Sequence, residues 1–229
     1  MNNSNLPLIV FDVNETLLDM SALKSEINNL LGSSKGFRIW FGMLLHYSLV
    51  DNNTGAYHDF VSIANATLDM TAKTLKTDVD EKKKKAVLAT LKELPAYPDV
   101  PKGLQLLKDN GFRLITLTNS PSATLIAQLQ HAKLTEYFEA TLSIDTIKKY
   151  KPAVETYIWA TKQLSVTVTG AILIAAHGWD IAGALQAGMQ AAFIEREGQS
   201  LYPLAHKPQF TGKNLIEVSK SIIAHYKVV

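Results

Sequence analysis

Polar residues that could perform chemistry occur in four short clusters, which include two carboxylates, hydroxyl groups and a lysine. The first cluster begins with Asp12, whose side chain is a weak nucleophile unless it is oriented and its charge is held in place. Lys151 could hold that charge, while Asp180 could hold the lysine. These residues could therefore hold Asp12 in the orientation that a nucleophile needs. The clusters are Asp12–Thr16, Thr118–Ser120, Lys151–Pro152 and His177–Asp180.

The sequence contains five short apolar runs, and each of the four clusters follows the end of one of these runs or lies near it. Such runs, separated by helix-like segments, are typical of buried parallel strands with helices on both faces of the sheet. Because ligands bind at the carboxyl ends of the strands in such sheets, the clusters are expected to converge on one rim. The predicted strands are Leu8–Phe11, Arg113–Leu117, Ala140–Ile144, Ala171–Ala175 and Ala191–Ile194.

The segment from about Asp19 to Ala96 interrupts this alternation, because it has helical periodicity and contains no convincing strand. Tyr97–Pro101 has the composition of a hinge that returns the chain to the sheet. The predicted fold class is therefore α/β, a Rossmann-like parallel sheet core with an inserted helical cap domain. Residues 1–18 and 98–229 are expected to form the core, and residues 19–97 the cap.

Composition excludes several classes of protein. Apolar residues make up 47% of the 229 residues, and the net charge is +2, which favours neither nucleic-acid nor membrane partners. No cysteine is present, so disulfides and thiolate catalysis are excluded. No secretory signal and no run near the ~20 apolar residues of a membrane span are visible, and a cytoplasmic protein is expected. The run Lys82–Lys85 is interpreted as a solvated helix face, with Asp80 paired to Lys84 and Glu81 to Lys85.

The four clusters together resemble the motifs of the haloacid dehalogenase superfamily. Phe11–Asp19 resembles the first motif, Leu117–Ser120 the second, Lys151–Pro152 the third and Trp179–Gly188 the fourth. Four motifs in order, each at the expected strand end, make a specific signal that covers nearly the whole chain. The resemblance implies that Asp12 is the nucleophile.

Two positions separate the phosphatase branch of this superfamily from the dehalogenase branch. The phosphatase pattern has Asp-x-Asp in the first motif, and its second aspartate is the general acid. This chain has Asn14 at that position. They also carry a Gly-Asp pair after the fourth strand that helps to hold magnesium, where this chain has Ala175-Ala176. Because magnesium prefers carboxylate ligands, these residues argue against a phosphatase.

The dehalogenase branch is more similar, since its members share the Trp179-Asp180 pair, a tyrosine matching Tyr157 and a cap arginine matching Arg38. The resemblance implies hydrolysis of an (S)-2-haloacid to an (R)-2-hydroxy acid through an ester on Asp12. It also implies that no cofactor or metal is needed and that the protein forms a homodimer. Arg38 would receive the halide. The other substrate-binding residues are expected to be Val13, Asn14, Thr16, Asn119, Ser120 and Trp179.

The chain departs from the common dehalogenase pattern at the positions expected to act on the water that hydrolyses the ester. Asn14 replaces a tyrosine, Glu15 a glycine and His177 an asparagine, while Ala175-Ala176 replaces a serine-rich segment. A subgroup of these dehalogenases carries the same histidine and glutamate, which suggests a dyad. Neutral His177 would activate water, and Glu15 would raise its pKa, so that hydrolysis rises with pH through the raised value. The alternative is that His177 only contacts substrate or halide.

Several assignments have structural alternatives. Asp180 and Ser120 could instead cap the helices that follow them. Trp40, Phe41 and Phe60 are expected in the core, and the five other histidines at structural or surface positions. Two rival functions also stay open: a metal-dependent small-molecule phosphatase of the same superfamily, and a non-catalytic member whose cap is a binding surface.

Overall fold

The computed structural model describes residues 6–227, which contain six strands and nine α-helices. The strands are β1 (Leu8–Phe11), β2 (Leu114–Thr118), β3 (Ala140–Ser143), β4 (Ala171–Ala175), β5 (Gln190–Ile194) and β6 (Phe210–Gly212). The helices are α1 (Ser21–Leu30), α2 (Gly36–Thr54), α3 (Phe60–Leu75), α4 (Glu81–Ala89), α5 (Val100–Asp109), α6 (Ser122–His131), α7 (Val154–Gln163), α8 (Gly178–Gln186) and α9 (Leu215–Lys227).

All six strands are parallel and form one sheet in the order β3-β2-β1-β4-β5-β6. This is the strand order of a doubly wound Rossmann-like sheet, and it reverses direction between β1 and β4. The α/β fold class predicted from the sequence is therefore confirmed. Every residue of β1, β2 and β4 is buried, which explains why these strands are continuous apolar runs in the sequence.

The sheet differs from the sequence prediction at both edges. The strand β6 pairs with β5 but was not predicted, because three residues with one buried position give too weak a pattern. At the other edge, β3 is only partly buried, so its interpretation as a buried run is wrong. Ile144 lies in a short 3₁₀ helix after β3 rather than in the strand.

The four helices α1–α4 lie between β1 and α5, in the segment where a cap was expected. The segments that lead into and out of this insertion run antiparallel, with a bridge between Leu18 and Ala96. The Tyr97 N–H donates to the Leu17 carbonyl at 3.0 Å. The predicted boundaries at 18/19 and 97/98 fall in these connecting segments, and the division into two domains stays a prediction.

The insertion is organised by the packing of α2 against α3. Trp40 on α2 is fully buried, and its indole N–H donates to the Ala64 carbonyl on α3 at 2.9 Å. Asp59 begins α3 as its N-cap, where its carboxylate accepts the N–H groups of Val61 and Ser62. A capping carboxylate satisfies donors that the first helical turn leaves free.

The lysine run on α4 is not uniformly solvated, and the prediction for Lys84 is wrong. Lys84 is 2% exposed, and its ammonium contacts Asp69 on α3 and Glu81, each at 2.6 Å. The expected pairing with Asp80 does not form, because Asp80 is the N-cap of α4 and accepts the Lys83 N–H. Lys82, Lys83 and Lys85 are exposed as expected.

Within residues 6–227, no helix is both long enough and apolar enough to cross a bilayer.

Candidate active site

Asp12 follows β1 directly and lies at the point where the strand order reverses, between the ends of β1 and β4. It is 5% exposed. Lys151 donates from Nζ to Asp12 Oδ1 at 2.8 Å and to Asp180 Oδ2 at 2.7 Å. The structure therefore brings together the two carboxylates and the lysine that the sequence singled out, with the ammonium bridging the carboxylates.

Asp180 is held by a second partner on α7. Tyr157 donates its phenol O–H to Asp180 Oδ1, and both side chains are buried. This approach depends on Gly183, where a Cβ atom would lie 2.4 Å from Pro152 Cβ and 2.7 Å from the Tyr157 hydroxyl oxygen. Asp180 lies in the first turn of α8 and is not its N-cap, a position that His177 occupies. The alternative of Asp180 as a helix cap is therefore wrong.

The electrostatics of this cluster keep Asp12 ionised. Burial alone would raise the pKa of Asp12, but Lys151 and His177 more than offset it and hold the pKa well below its usual range. Burial would lower the pKa of Lys151, but Asp12 and Asp180 outweigh it and raise the pKa. Burial and the neighbouring Asp12 raise the pKa of Asp180. Asp12 is thus a charged carboxylate in a dry site.

Thr16 holds the Asp12 carboxylate. Its hydroxyl donates to Asp12 Oδ2 at 2.7 Å and accepts the Ala176 N–H at 2.9 Å. The single hydroxyl proton of Thr16 is thus already used. Thr16 was expected to bind the substrate, but both hydrogen bonds of its hydroxyl are made within the protein, to Asp12 and Ala176.

His177 lies on the other side of Asp12. Its Nδ1 is 3.0 Å from Asp12 Oδ2, and its Nε2 is 2.9 Å from Glu15 Oε2. Burial lowers the pKa of His177, but the hydrogen bonds to the two carboxylates raise it more, to about 9. The imidazole ring stacks on the Trp179 indole with 5.1 Å between centroids. The two residues expected to form a dyad are therefore in contact.

Glu15 has a strained backbone, with a φ of 57° in the left-handed region. A glycine adopts this conformation without cost, whereas a glutamate does not. The positive φ fits the glycine that is usual at this position in the common dehalogenase pattern. The Glu15 carboxylate also accepts a hydrogen bond from Gln199 Nε2 at 3.1 Å, on the oxygen that faces His177. Strain held in place by side-chain contacts points to a functional role for Glu15.

Asn14 is engaged by two neighbouring side chains. Its Nδ2 donates to Ser120 Oγ at 3.1 Å, and its Oδ1 accepts from Gln128 Nε2 at 3.0 Å. Ser120 does not cap α6, whose N-cap is Pro121 without a side-chain cap bond. Because Ser120 Oγ is the acceptor in its bond with Asn14, its own proton can be donated to a bound anion.

Asn119 has a free donor in the site. Its Oδ1 accepts the Lys151 N–H at 3.0 Å, which fixes the orientation of the amide. Its Nδ2 is buried and has no hydrogen-bond partner among residues 6–227. A buried amide donor without a partner costs free energy, and a bound anion would satisfy it.

A small inner pocket of about 20 Å³ lies directly over Asp12. This volume holds about one water molecule, so a larger ligand requires its walls to move. Trp40 and Phe60 belong to the buried core as expected, and Phe60 also lines this pocket. Phe41 is only partly buried and lines the pocket, so its expected place within the core is wrong. The lining side chains are Asp12, Asn14, Phe41, Leu45, Phe60, Thr118, Asn119, Lys151, His177 and Trp179.

A larger outer cleft of about 560 Å³ lies beside the inner pocket. Phe41, Leu45, His177 and Trp179 line both spaces and form the wall between them. Arg38 is exposed on α2 and lines the outer cleft but not the inner pocket. The structure therefore does not place Arg38 beside Asp12.

The Val13 side chain is fully buried in the hydrophobic core. It does not line the inner pocket. Any contact of Val13 with a substrate is thus limited to its backbone.

Three site residues were missed by the sequence analysis. Gln128 on α6 also donates to the Leu91 carbonyl, and Gln199 supports Glu15. Arg196 donates to the Thr16 carbonyl at 3.0 Å and pairs with Asp99 at 2.8 Å. Gln128 lies within a helix pattern, and the other two follow β5 in a segment without a motif. No sequence signal distinguished them from surface residues.

Comparison with known proteins gives a consistent family assignment. The family model described as haloacid dehalogenase-like hydrolase matches residues 9–194. The chain is 31% identical over 193 residues to (S)-2-haloacid dehalogenase 1 of Pseudomonas sp. strain CBS-3, covering 82% of this chain and 83% of the relative. It is 29% identical over 209 residues to (S)-2-haloacid dehalogenase 4A of Burkholderia cepacia, covering 89% and 90%.

The fold is also similar to a solved structure. The L-2-haloacid dehalogenase from Xanthobacter autotrophicus superposes with a TM-score of 0.84 at 24% sequence identity. The match covers 98% of this chain and 100% of the other. At this identity the comparison supports the α/β fold and its strand order.

Proposed function

The chain belongs to the haloacid dehalogenase-like hydrolase family, and from this premise we propose that it hydrolyses (S)-2-haloacids to (R)-2-hydroxy acids. The reaction breaks a carbon–halogen bond and proceeds through an ester on Asp12. The observation that carries the proposal is the buried Asp12 carboxylate, fixed by Lys151 and Thr16 beside a small pocket of about 20 Å³. The relatives named (S)-2-haloacid dehalogenase support the substrate class.

In the first half of the reaction, an Asp12 oxygen attacks the carbon that carries the halogen and displaces halide with inversion. Attack requires a carboxylate that is ionised and oriented, and the contacts with Lys151 and Thr16 meet both requirements. The Asp12 and Lys151 side chains are buried, which strengthens the charged contact between them. Inversion converts the (S)-haloacid into an (R)-configured ester.

Two donors suit the two anionic groups of the reaction: Asn119 lines the inner pocket, and Ser120 bonds to Asn14, which lines it. We assign the substrate carboxylate to the free Ser120 O–H and to backbone N–H groups of Val13 and Asn14. We assign the departing halide to the unpaired Asn119 Nδ2, with Trp179 as an apolar wall. Arg38 receives the halide after the wall to the outer cleft opens, because it lies in that cleft.

In the second half, water attacks the ester carbonyl and releases the hydroxy acid. The base must lie close to the Asp12 carbonyl, and His177 Nδ1 is 3.0 Å from Asp12 Oδ2. Lys151 is unsuited because its raised pKa keeps it protonated between Asp12 and Asp180. We therefore propose His177, supported by Glu15, as the base.

We further propose that the reaction needs no metal ion. The positions that would supply magnesium with carboxylates carry Asn14, whose amide is engaged by Ser120 and Gln128, and Ala175-Ala176. A metal-dependent phosphatase would need those carboxylates. Prolonged chelation should leave halide release unchanged, and activity lost on chelation and restored by magnesium would contradict the proposal.

A small substrate panel tests the function directly. We expect halide release from (S)-2-chloropropionate and chloroacetate, inversion to the (R)-hydroxy acid, and no turnover of (R)-2-chloropropionate. p-Nitrophenyl phosphate with magnesium serves as the control for the phosphatase alternative. Turnover of the phosphate alone would replace the dehalogenase proposal. No turnover of any compound would favour a non-catalytic protein.

The assembly and the compartment are further parts of the proposal. We propose a homodimer, as the resemblance implies, and analytical ultracentrifugation tests it against a monomer. We propose the cytoplasm as the compartment, and fractionation of the native cells tests it.

A further inference from the structure

Both ring nitrogens of His177 face a carboxylate. Nδ1 lies 3.0 Å from Asp12 Oδ2, and Nε2 lies 2.9 Å from Glu15 Oε2. An ionised carboxylate accepts hydrogen bonds and cannot donate them, so both ring nitrogens must carry a proton. His177 is therefore an imidazolium in the free enzyme. A general base must be neutral, so this state cannot by itself activate water.

The charges around His177 explain why the imidazolium is stable. Asp12 at the end of β1 and Glu15 in the following loop contact the ring directly. The burial of His177 opposes the charge, yet these carboxylates raise its pKa to about 9. Lys151 and Asp180 lie behind Asp12 and bind each other. On the cleft side the charged neighbours are Lys24 on α1, Arg38 on α2 and Glu197 after β5.

Ester formation removes one of the two carboxylates that face the ring. When Asp12 is alkylated it loses its negative charge, while Glu15 and the rest of the site stay unchanged. We propose that alkylation of Asp12 converts His177 from an imidazolium into a neutral base, in which Nδ1 has lost its proton to solvent and the Nε2 proton stays bonded to Glu15. The inference rests on the proposed dehalogenase function.

The geometry provides a route for that proton. Glu15 still accepts the Nε2 proton at 2.9 Å after Asp12 is alkylated, so the proton that leaves is the one on Nδ1, which has lost its carboxylate partner. His177 lines both the inner pocket and the outer cleft, so this proton can pass to water in the cleft. Its departure leaves a lone pair on Nδ1, next to the ester carbonyl.

The two steps balance as follows. In the first, ionised Asp12 and the haloacid give the ester and halide, and the His177 imidazolium loses one proton to solvent. In the second, water adds to the ester carbonyl and gives one proton to neutral His177. The hydroxyl proton that remains on the tetrahedral carbon passes to the departing alkoxide oxygen. The products are the hydroxy acid, ionised Asp12 and the imidazolium, so the net proton is released before hydrolysis.

The state of the free enzyme is tested without turnover by NMR titration of ¹⁵N-labelled histidine, with His177→Asn to assign the signal. In the wild type, both ring nitrogens of His177 should be protonated at pH 7.5 and titrate near pH 9. In Asp12→Asn, whose neutral side chain imitates the ester, titration should fall toward the ordinary value of about 6.5. A neutral ring at pH 7.5 in the wild type, or no change in Asp12→Asn, would overturn the inference.

The timing of proton release is tested by stopped flow in weak buffer at pH 7.5, with excess enzyme, a pH indicator and (S)-2-chloropropionate. Protons should appear together with halide and before the hydroxy acid. The early proton should disappear as the pH rises through about 9, where free His177 is already neutral. In His177→Asn, protons should appear with the hydroxy acid instead.

Halide release in the same experiment separates the claim about when the proton leaves from the proposed dehalogenase function. Protons that appear only with the hydroxy acid in the wild type would overturn the timing, although the dehalogenase function would stand. A wild type that releases no halide would instead overturn the proposed function, and with it this inference.

Discussion

The Asp12 carboxylate lies between two pairs of one cation and one carboxylate, and the two pairs differ in their access to solvent. The first pair, Lys151 with Asp180, is sealed, with side chains 1% and 0% exposed. The second pair, His177 with Glu15, reaches the outer cleft, with side chains 5% and 17% exposed. Both cations contact Asp12, but they do so from different oxygens.

This difference indicates a division of work. The sealed pair cannot exchange protons with solvent, and the raised pKa of Lys151 gives the nucleophile a constant countercharge. The open pair contains His177, whose pKa of about 9 is close enough to neutral pH for the ring to gain and lose a proton during turnover. We therefore assign ester formation to the Lys151 side and ester hydrolysis to the His177 side, and substitutions at four positions test this division.

Lys151→Met is expected to have the largest effect. It leaves Asp180 without a cation and Asp12 with His177 alone, so ester formation should slow by about 10³-fold. The free energy of unfolding should fall by about 3–5 kcal/mol. Single-turnover halide release and chemical denaturation measure the two effects. Ester that forms at the normal rate would remove Lys151 from the first step.

Lys84→Met is the matched control, because Lys84 also bridges two carboxylates and is 2% exposed. Its partners Asp69 and Glu81 are 56% and 66% exposed, so losing the bridge should cost at most about 1 kcal/mol. Halide release should be unchanged. A large loss of activity in Lys84→Met would show that removing a bridging lysine acts through the fold.

His177→Ala should separate the two halves of the reaction. The ester should still form but hydrolyse about 10²-fold more slowly, since the base is lost. Mass spectrometry of the intact protein should then show an adduct on Asp12. His58→Ala, which breaks an exposed contact with Asp51, is the control and should turn over normally. An unmodified His177→Ala protein after incubation with substrate would favour the contact role of His177.

Glu15→Gly and Glu15→Ala separate the charge of Glu15 from its backbone strain. Both remove the carboxylate, but only glycine adopts the positive φ without strain. Both should slow ester hydrolysis by about 30-fold. The glycine variant should be more stable than the alanine variant by about 1 kcal/mol. Lys133, which has a φ of 56° and is exposed, gives the control pair, with the same difference in stability and normal activity. Equal stability of the two Glu15 variants would argue against strain.

Gln199→Leu should give the smallest effect. Gln199 touches no reacting atom but holds the Glu15 oxygen that faces His177, so hydrolysis should slow by about tenfold while ester formation stays normal. The titration of His177 should shift to lower pH, because Glu15 is held less firmly beside it. Gln105→Leu removes an exposed contact with Asp109 and serves as the control. If both steps slowed equally, Gln199 would have only a structural role.

The sequence predicted the parts of the site that follow buried strands. The end of such a strand is visible in the sequence, because a run such as Leu8–Phe11 stops abruptly at a polar residue. Parallel strands bring these ends to one rim, so Asp12 and Lys151, 139 positions apart, were expected to meet. The placement of His177 beside Glu15 followed from the same argument.

Contacts that depend on side-chain direction or on irregular segments were not predictable. Gln199 reaches Glu15 because the chain after β5 folds over Gly178, where a Cβ atom would lie 2.3 Å from the Ser200 carbonyl oxygen. Lys84 turned inward although the charge run indicated a solvated face. Arg38 faces the outer cleft, since its place on α2 fixes its direction but no sequence pattern reports it.

Covalent catalysis through Asp12 is the central claim, and one isotope experiment tests it most directly. A single turnover of (S)-2-chloropropionate is run in H₂¹⁸O with excess enzyme, and the Asp12 peptide and the product are analysed by mass spectrometry. If Asp12 forms the ester and water attacks its carbonyl, the label enters the Asp12 carboxylate and the first product carries none. Label found in the hydroxy acid, with none in Asp12, would show that water attacks the substrate directly and would contradict the account.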